Sequence, residues 1–281
     1  MTNIISALAF IITSIASAAI YNYTKNTKYL PSGTWSCNGI NIIPGYPHLE
    51  VSMNSLITAP KFVKWLQKML DKNEVDICSI TITDINWFSA KPNPLKLGFV
   101  KCTLDATDTK TGGKIMSNVV FIRGNSVAIL IIVKVLYPSN DYGFKDKQFV
   151  LLCEQMRLPV GQRIKEICAG MVDAEGNIIS VALKEVQEET GFVINHIDEL
   201  IPLKTIIPSP GACDEEIDLY AWTTAISYHD FIEKQKRIYG NKNENEEIRL
   251  SFIELNDYIN VEAEYIGDVK GECAIRRYMQ I

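Results

Sequence analysis

The stretch that decides the fold is residues 169–192, AGMVDAEGNIISVALKEVQEETGF. Its KEVQEETG part is interpreted as a helix whose residues step by about 100° each. On that spacing Glu185, Glu188 and Glu189 share one face, within an arc of roughly 100°. Gly191 follows where a glycine that ends a helix belongs. The adjoining, core-facing arc holds Ile179, Ala182, Leu183, Val186 and Thr190. The pattern predicts an amphipathic helix with an acidic face.

The acidic face has two interpretations. Three like charges on one helix face repel each other unless a partner is present, so a solvated acidic helix is the simpler one. Three further features favour a metal site: Gly170 upstream, the apolar neighbours that pin the helix to a sheet, and a second acidic segment, SPGACDEE, at residues 209–216. Carboxylate clusters bind hard cations such as magnesium, which keeps its waters and bridges substrate phosphates.

The segment resembles the Nudix box, the signature of the Nudix hydrolases. The residues that match the signature in register are Gly170, Glu185, Val186, Glu188, Glu189 and Gly191.

Several positions depart from the signature. Gly176 stands where its first glutamate belongs, with Glu175 one place early. Lys184 replaces arginine, which keeps the charge but not the planar fork. Phe192 replaces an aliphatic residue.

A wider resemblance covers residues from about 58 to 278. The chain is similar there to the plant-type ADP-sugar diphosphatases, in the ADP-ribose pyrophosphatase branch of the Nudix family. The segments that carry the similarity are FVKWLQ, VVFIRGNSVAIL, CEQMRLPVG, CAGMVD and SPGACDEE. The resemblance implies a homodimer and a Nudix α/β/α sandwich preceded by a β-rich N-terminal subdomain.

The resemblance also implies a metal site. Glu185, Glu188 and Glu189 would bind magnesium, or manganese in its place, together with the backbone carbonyl of Ala169. Gly170 would belong to the substrate-binding surface beside them. The three carboxylates are the metal-binding part of the signature that this chain retains.

Two further roles follow from the resemblance. Arg157 would contact a substrate phosphate, with a surface ion pair as the alternative. Glu215, or its neighbour Glu216, would position or deprotonate the attacking water, with solvation of a turn as the alternative because Pro210-Gly211 marks a turn in any case.

The function implied is magnesium-dependent hydrolysis of an ADP-sugar, ADP-glucose or ADP-ribose, to AMP and sugar 1-phosphate. A metal ion in such a site lowers the pKa of the attacking water and stabilises the attacking and leaving oxygens. Two alternatives stay open: a Nudix hydrolase of UDP-sugars or another nucleoside diphosphate derivative, and a non-catalytic module that binds a nucleotide-sugar as a sensor.

Composition restricts the partners and the surroundings. The chain has 281 residues and a net charge of -5, which argues against nucleic acid as a partner. Its 7 cysteines are scattered without paired spacing, as expected for structural thiols in a reducing compartment. The charge-free run from Ile4 to Ile20 predicts a membrane anchor or an organelle-targeting segment; a buried helix is the alternative.

The remaining patterns predict an α/β (α+β) fold in three parts: a hydrophobic segment 1–28, a β-rich subdomain 29–140 and a Nudix domain 141–281. Residues 21–55 are interpreted as a linker or an irregular lead-in. A helix is expected from Pro60, and strands over 75–149. After residue 160, strands at 201–207, 217–226 and 248–254 should alternate with helices at 180–190 and 228–239 and a last helix ending at Tyr278. Residues 240–247 are predicted to form a polar loop.

Overall fold

The computed structural model describes residues 28–30, 34–88, 96–116, 118–138, 146–172, 177–241, 246–260 and 268–281. The run from Ile4 to Ile20 lies outside them. The chain divides into two compact units, the first made of residues 1–124 with 209–214 and the second of 125–208 with 215–281. The sequence placed this boundary after residue 140. Residues 126–136, which that boundary places in the β-rich subdomain, instead form a central strand of the second unit.

The first unit contains a six-stranded sheet in the order β1-β2-β3-β4-β5-β6. Neighbouring strands are antiparallel except for β3 and β4, which are parallel. The strands are β1 (Lys28–Leu30), β2 (Thr34–Cys37), β3 (Ile40–Pro44), β4 (Val75–Trp87), β5 (Leu97–Asp108) and β6 (Val119–Ile122). The predicted β-rich N-terminal part is therefore present.

Two helices pack on this sheet, α1 (Glu50–Leu56) and α2 (Pro60–Lys72). Pro60 begins α2, as predicted, because a proline at the first helical position loses no hydrogen bond. The linker interpretation of residues 21–55 was wrong for the described part, 28–30 and 34–55. Trp35, Ile42 and Met53 are buried in the core of this unit, so the short strands and α1 fold around them despite their glycines and prolines.

The second unit is built on a mixed sheet with the main order β11-β12-β7-β8-β14-β13. Its strands are β7 (Ser126–Leu136), β8 (Lys147–Arg157), β9 (Gln162–Glu166), β10 (Cys168–Met171), β11 (Ile201–Ile206), β12 (Ile217–Ser227), β13 (Ile238–Tyr239) and β14 (Ile248–Glu254). Its helices are α3 (Ile178–Thr190), α4 (Tyr228–Lys236), α5 (Leu255–Asn260) and α6 (Val269–Tyr278).

Both faces of this sheet are covered, because β7 buries alternate side chains on opposite sides. Val127, Ile129 and Ile131 pack with residues of α3 on one face. Ala128, Leu130 and Ile132 pack with residues of α5 and α6 on the other. The predicted α/β/α sandwich is confirmed for this unit.

Smaller differences concern the ends of elements. The helix expected over 228–239 stops at Lys236, and the next residues form β13. All 7 cysteines are free thiols. Within the described ranges, no helix is both long and apolar enough to cross a membrane.

Candidate active site

The site is organised where β7 and β8 separate. Residues 147–151 of β8 pair with β7, but further along β8 pairs with β9, and the first residues of β7 pair with β10. The segment β9–β10 thus fills the space between two strands that are neighbours elsewhere. Ala169 and Gly170 lie on β10 opposite Ala128 and Val127. This places the backbone of the signature's first residues beside helix α3.

Helix α3 is fixed at both ends. The Asn177 side chain accepts a hydrogen bond from the backbone N–H of Ile179, which caps the first turn. Gly191 ends the helix with φ at 64°, the left-handed conformation in which glycine is favoured. Ala182 and Val186 are buried against the sheet. The predicted helix and its terminal glycine are confirmed.

Two glutamates of α3 meet β10 directly. Glu189 is 3% exposed, and its Oε2 accepts a hydrogen bond of 3.3 Å from the backbone N–H of Ala169. A Cβ built on Gly170 would lie 2.2 Å from the Cγ of Glu185. Glycine at position 170 therefore allows Glu185 to lie directly on the strand.

Negative charge accumulates around Glu189. Burial raises its pKa to about 8, with further contributions from the charges of Glu185 and Glu246, while hydrogen bonds from Cys168 and Ala169 oppose the rise. Glu246 lies just before β14, and its Oε2 accepts a hydrogen bond from the backbone N–H of Asn241 at 3.3 Å. The charges of Glu185 and Glu246 thus both act on Glu189, and negative charge of this kind favours a bound cation.

Glu188 has a different environment. Its carboxylate forms a 3.1 Å ion pair with Lys184 one turn earlier on α3, and the pair is partly exposed. Its backbone carbonyl accepts a hydrogen bond from Gly240. The structure therefore brings Glu185 and Glu189 to β10, while Glu188 faces the lysine that stands in for the signature's arginine.

Arg157 ends β8 beside this cluster. Its Nε donates a 2.5 Å hydrogen bond to Oε1 of Glu166, a buried residue of β9. Burial alone would lower the pKa of Arg157, but Glu166, Glu189 and Glu246 outweigh it and raise the pKa. The charged guanidinium is therefore stabilised by these carboxylates.

The downstream acidic segment is divided between the two units. In the first unit, Asp214 Oδ1 accepts hydrogen bonds from the backbone N–H groups of Arg123 and Gly124. In the second unit, Glu215 is 8% exposed, and its Oε1 accepts a 2.8 Å hydrogen bond from the Ser126 hydroxyl. Glu216 is half-buried, and its carbonyl accepts from the backbone N–H of Ser126.

Sheet register relates Glu215 to the signature. Ser126 pairs with Ile217 of β12 on one side and with Met171 of β10 on the other. Glu215 accepts a hydrogen bond from Ser126 and thus lies at the same end of the strands as Gly170. It is held more firmly than a residue that only solvates a turn.

The donor set suits a hard divalent cation. Oxygen ligands from carboxylates and a backbone carbonyl are those that magnesium takes, and the absence of a side chain at Gly170 lets the Glu185 carboxylate lie against β10. Over the ranges that the structure describes, no three His, Cys, Asp or Glu side chains already form a metal-binding group. The ion pair of Glu188 with Lys184 is consistent with that.

Comparison with known proteins gives relatives but no family profile. A scan against models of protein families matches none. The chain is 27% identical over 213 residues to Nudix hydrolase 14, chloroplastic, of Arabidopsis thaliana, which covers 70% of this chain and 64% of that protein. It is 26% identical over 140 residues to the ADP-ribose pyrophosphatase of Bacillus subtilis (strain 168), covering 48% of this chain and 68% of that protein. The chain is a Nudix hydrolase homologue.

Two further matches are a bacterial protein and a solved structure. The homologue is 32% identical over 114 residues to the methanol dehydrogenase activator of Bacillus methanolicus, covering 33% of this chain and 60% of that protein. A crystal structure of an ADP compounds hydrolase aligns with a TM-score of 0.42 at 12% identity, covering 73% of this chain and 95% of that one. The chain spans less than two thirds of the length of the Arabidopsis relative.

The sequence interpretation of this Nudix homologue missed two acidic residues. Glu246 was assigned to a polar loop, where a run of glutamates reads as solvent-exposed. Glu166 was missed because it lies in a strand without a motif of its own. The available signal was its position, three residues before Ala169.

Proposed function

We propose that this Nudix homologue hydrolyses the pyrophosphate bond of an ADP-sugar, ADP-ribose or ADP-glucose, to AMP and a sugar phosphate. The observation that carries the proposal is the seating of Glu189 and Glu185 on Ala169 and Gly170, with Glu246 alongside. The similarity to the ADP-ribose pyrophosphatase of Bacillus subtilis and to Nudix hydrolase 14 of Arabidopsis supports the reaction class.

Each of the chain's groups has a task in this reaction. Glu185, Glu189 and the Ala169 carbonyl would hold magnesium or manganese, and Glu188 would join them by leaving Lys184. The metal, when bound, neutralises the diphosphate and activates water. Arg157 would bind a diphosphate oxygen, because its charged guanidinium adjoins the carboxylates. Hydrolysis then depends chiefly on positioning and electrostatics.

Three residues are candidates for the carboxylate that positions the attacking water. Glu215 or Glu216 is proposed from the sequence, and Glu215 lies at the same end of the strands as Gly170. Glu246 joins them because its charge acts on Glu189. A general base must first reach the water, so substitution of each residue by glutamine decides between them.

A substrate panel tests the proposed function. The full chain is incubated with ADP-ribose, ADP-glucose, UDP-glucose or NADH, with magnesium chloride or with EDTA, and nucleotide release is followed by chromatography. Magnesium-dependent AMP release from an ADP-sugar is the expected result. UMP release from UDP-glucose would assign the chain to UDP-sugars. Calorimetric binding of ADP-ribose without any hydrolysis would make it a sensor.

Assembly and location are also proposed. We propose a homodimer, which light scattering of the purified chain tests directly. We further propose that residues 4–20 attach the protein to a membrane or direct it to an organelle, with the catalytic part in a reducing compartment. Fractionation of cells that express the chain with and without residues 1–28 tests this.

A further inference from the structure

Behind Arg157 lies a chain of charged groups that the reaction does not use directly. One carboxylate oxygen of Glu166 accepts from Arg157 Nε at 2.5 Å, and the other lies 2.9 Å from Lys270 Nζ. Lys270 Nζ also lies 2.8 Å from Oδ1 of Asp268. The side chains of Glu166, Lys270 and Asp268 are 8%, 16% and 6% exposed. A buried charge is stable only when it is paired, so each of these groups should keep its partner.

The inner end of this chain is anchored in the fold. Asp268 caps helix α6, with Oδ1 accepting from the backbone N–H of Lys270 and Oδ2 from that of Gly271. The same Oδ2 accepts from the backbone N–H of Ile167, which links β9 to β10. Lys270 is therefore held by Asp268, and it in turn holds Glu166.

At the outer end of this chain of charged groups, the two terminal nitrogens of Arg157 are available to a phosphate. Within the described part of the chain, Nε makes the hydrogen bond of this guanidinium, and the side chain is 42% exposed. A guanidinium held through Nε presents its two terminal nitrogens as a planar fork, which matches two oxygens of a phosphate. The orientation of that fork is then set by the carboxylate at Nε.

We propose that Glu166 is a positioning residue: backed by Lys270, it orients the guanidinium of Arg157 toward the diphosphate of the substrate. The inference rests on the proposed function and deepens it. It assigns to Glu166 a role exerted wholly through Arg157, and it differs from a purely structural role, in which the ion pair only stabilises the strands.

A double-mutant cycle separates the two roles. Steady-state hydrolysis of ADP-ribose with saturating magnesium is measured for the parent, Glu166→Gln, Arg157→Ala and the double variant, with melting curves for each. Arg157→Ala should lower kcat/KM about a hundredfold, the loss typical of one removed charge-stabilising donor. Glu166→Gln should lower it about tenfold in the parent and by less than about twofold in the Arg157→Ala background, because residues that act as a unit are not additive.

Two further variants sharpen the cycle. Arg157→Lys retains charge but has no Nε fork, so Glu166→Gln should have little added effect in that background as well. Glu254→Gln is the matched control: it removes a 2.7 Å ion pair with Lys147 at the other end of β8 and should leave kcat/KM within about twofold. If Glu166→Gln does not fold, Glu166→Asp replaces it, because one methylene less withdraws the carboxylate from Nε.

The outcomes are distinct. Equal losses from Glu166→Gln in the parent and in the Arg157→Ala background would overturn the positioning role and leave a structural one. A loss of kcat/KM from Glu166→Gln that is seen only when Arg157 is present supports the proposal. A parent that releases no AMP from ADP-ribose would refute the proposed function itself, and this inference with it.

Discussion

Gly170→Ala is the substitution whose effect the structure defines most closely. The new Cβ would lie 2.2 Å from Glu185 Cγ and 2.3 Å from its Cδ and Oε1. Nonbonded carbon atoms pack at about 3.5–4.0 Å, so the Glu185 side chain must retreat by more than about 1 Å. A shift of about 1 Å in a group that positions reacting atoms costs on the order of a hundredfold in rate, or about 2.7 kcal/mol in the activation barrier.

The cost in stability should be smaller, because Glu185 is half-buried and can swing outward. Overpacking of this kind destabilises a fold by about 1–3 kcal/mol, and we expect the lower end. Magnesium titrations of AMP release from ADP-ribose, with thermal melts beside them, measure both effects. Gly113→Ala is the control, since its Cβ would meet only Thr111 Oγ1, at 3.3 Å. Turnover of Gly170→Ala within threefold of the parent would refute the seating of Glu185 as a functional contact.

Three further predictions follow from the same structure. Glu189→Gln should keep the fold, seen as an unchanged circular dichroism spectrum, while magnesium-dependent turnover falls by at least about a hundredfold, or about 3 kcal/mol; near-normal turnover would remove the residue from the metal site. Glu215→Gln should lower turnover strongly with ADP-ribose affinity within a few fold, and Glu216→Gln should do little; the reverse pattern in kinetics and calorimetry would transfer the role to Glu216. Burial would raise the pKa of Glu166, but Lys270 and Arg157 outweigh it and hold the pKa below 4.5. Its charge thus stabilises the fold above that pH, and this contribution is lost as the pH falls through the lowered pKa, so the unfolding free energies of the parent and of Glu166→Gln in urea should converge in acid; a constant difference would contradict the assignment.

The helix that carries the site could be predicted from local pattern alone. Apolar spacing gave α3 its buried face at Ala182 and Val186, and Gly191 marked its end. β7 lies within residues 75–149, where strands are expected, and its side chains are apolar at nearly every position because both of its faces are covered. The periodicity also put Glu188 on the acidic face, but only the structure shows its carboxylate bound to Lys184.

What stayed out of reach depends on distant parts of the chain. Glu166 and Lys270 are 104 residues apart, and no local spacing indicates that they pair. The sequence shows Glu246 only as one of several glutamates in a polar stretch, whereas in the structure its charge raises the pKa of Glu189. Local pattern indicates a linker where β2 and β3 form, because these short strands depend on pairing with each other, on pairing of β3 with β4, and on burial of Trp35 and Ile42.

The hairpin between β8 and β9 determines how well the site tolerates a longer chain. Its tip, Leu158–Val160, is a single exposed turn closed by Gly161 in the left-handed conformation. One ladder fixes β9 against β8, and a separate ladder fixes β10 against β7. A residue inserted next to Pro159 should therefore be absorbed within the turn, and the register of Ala169 and Gly170 would not change. The tip is a position at which the chain can lengthen, or accept a grafted loop, next to the candidate site without displacing its residues.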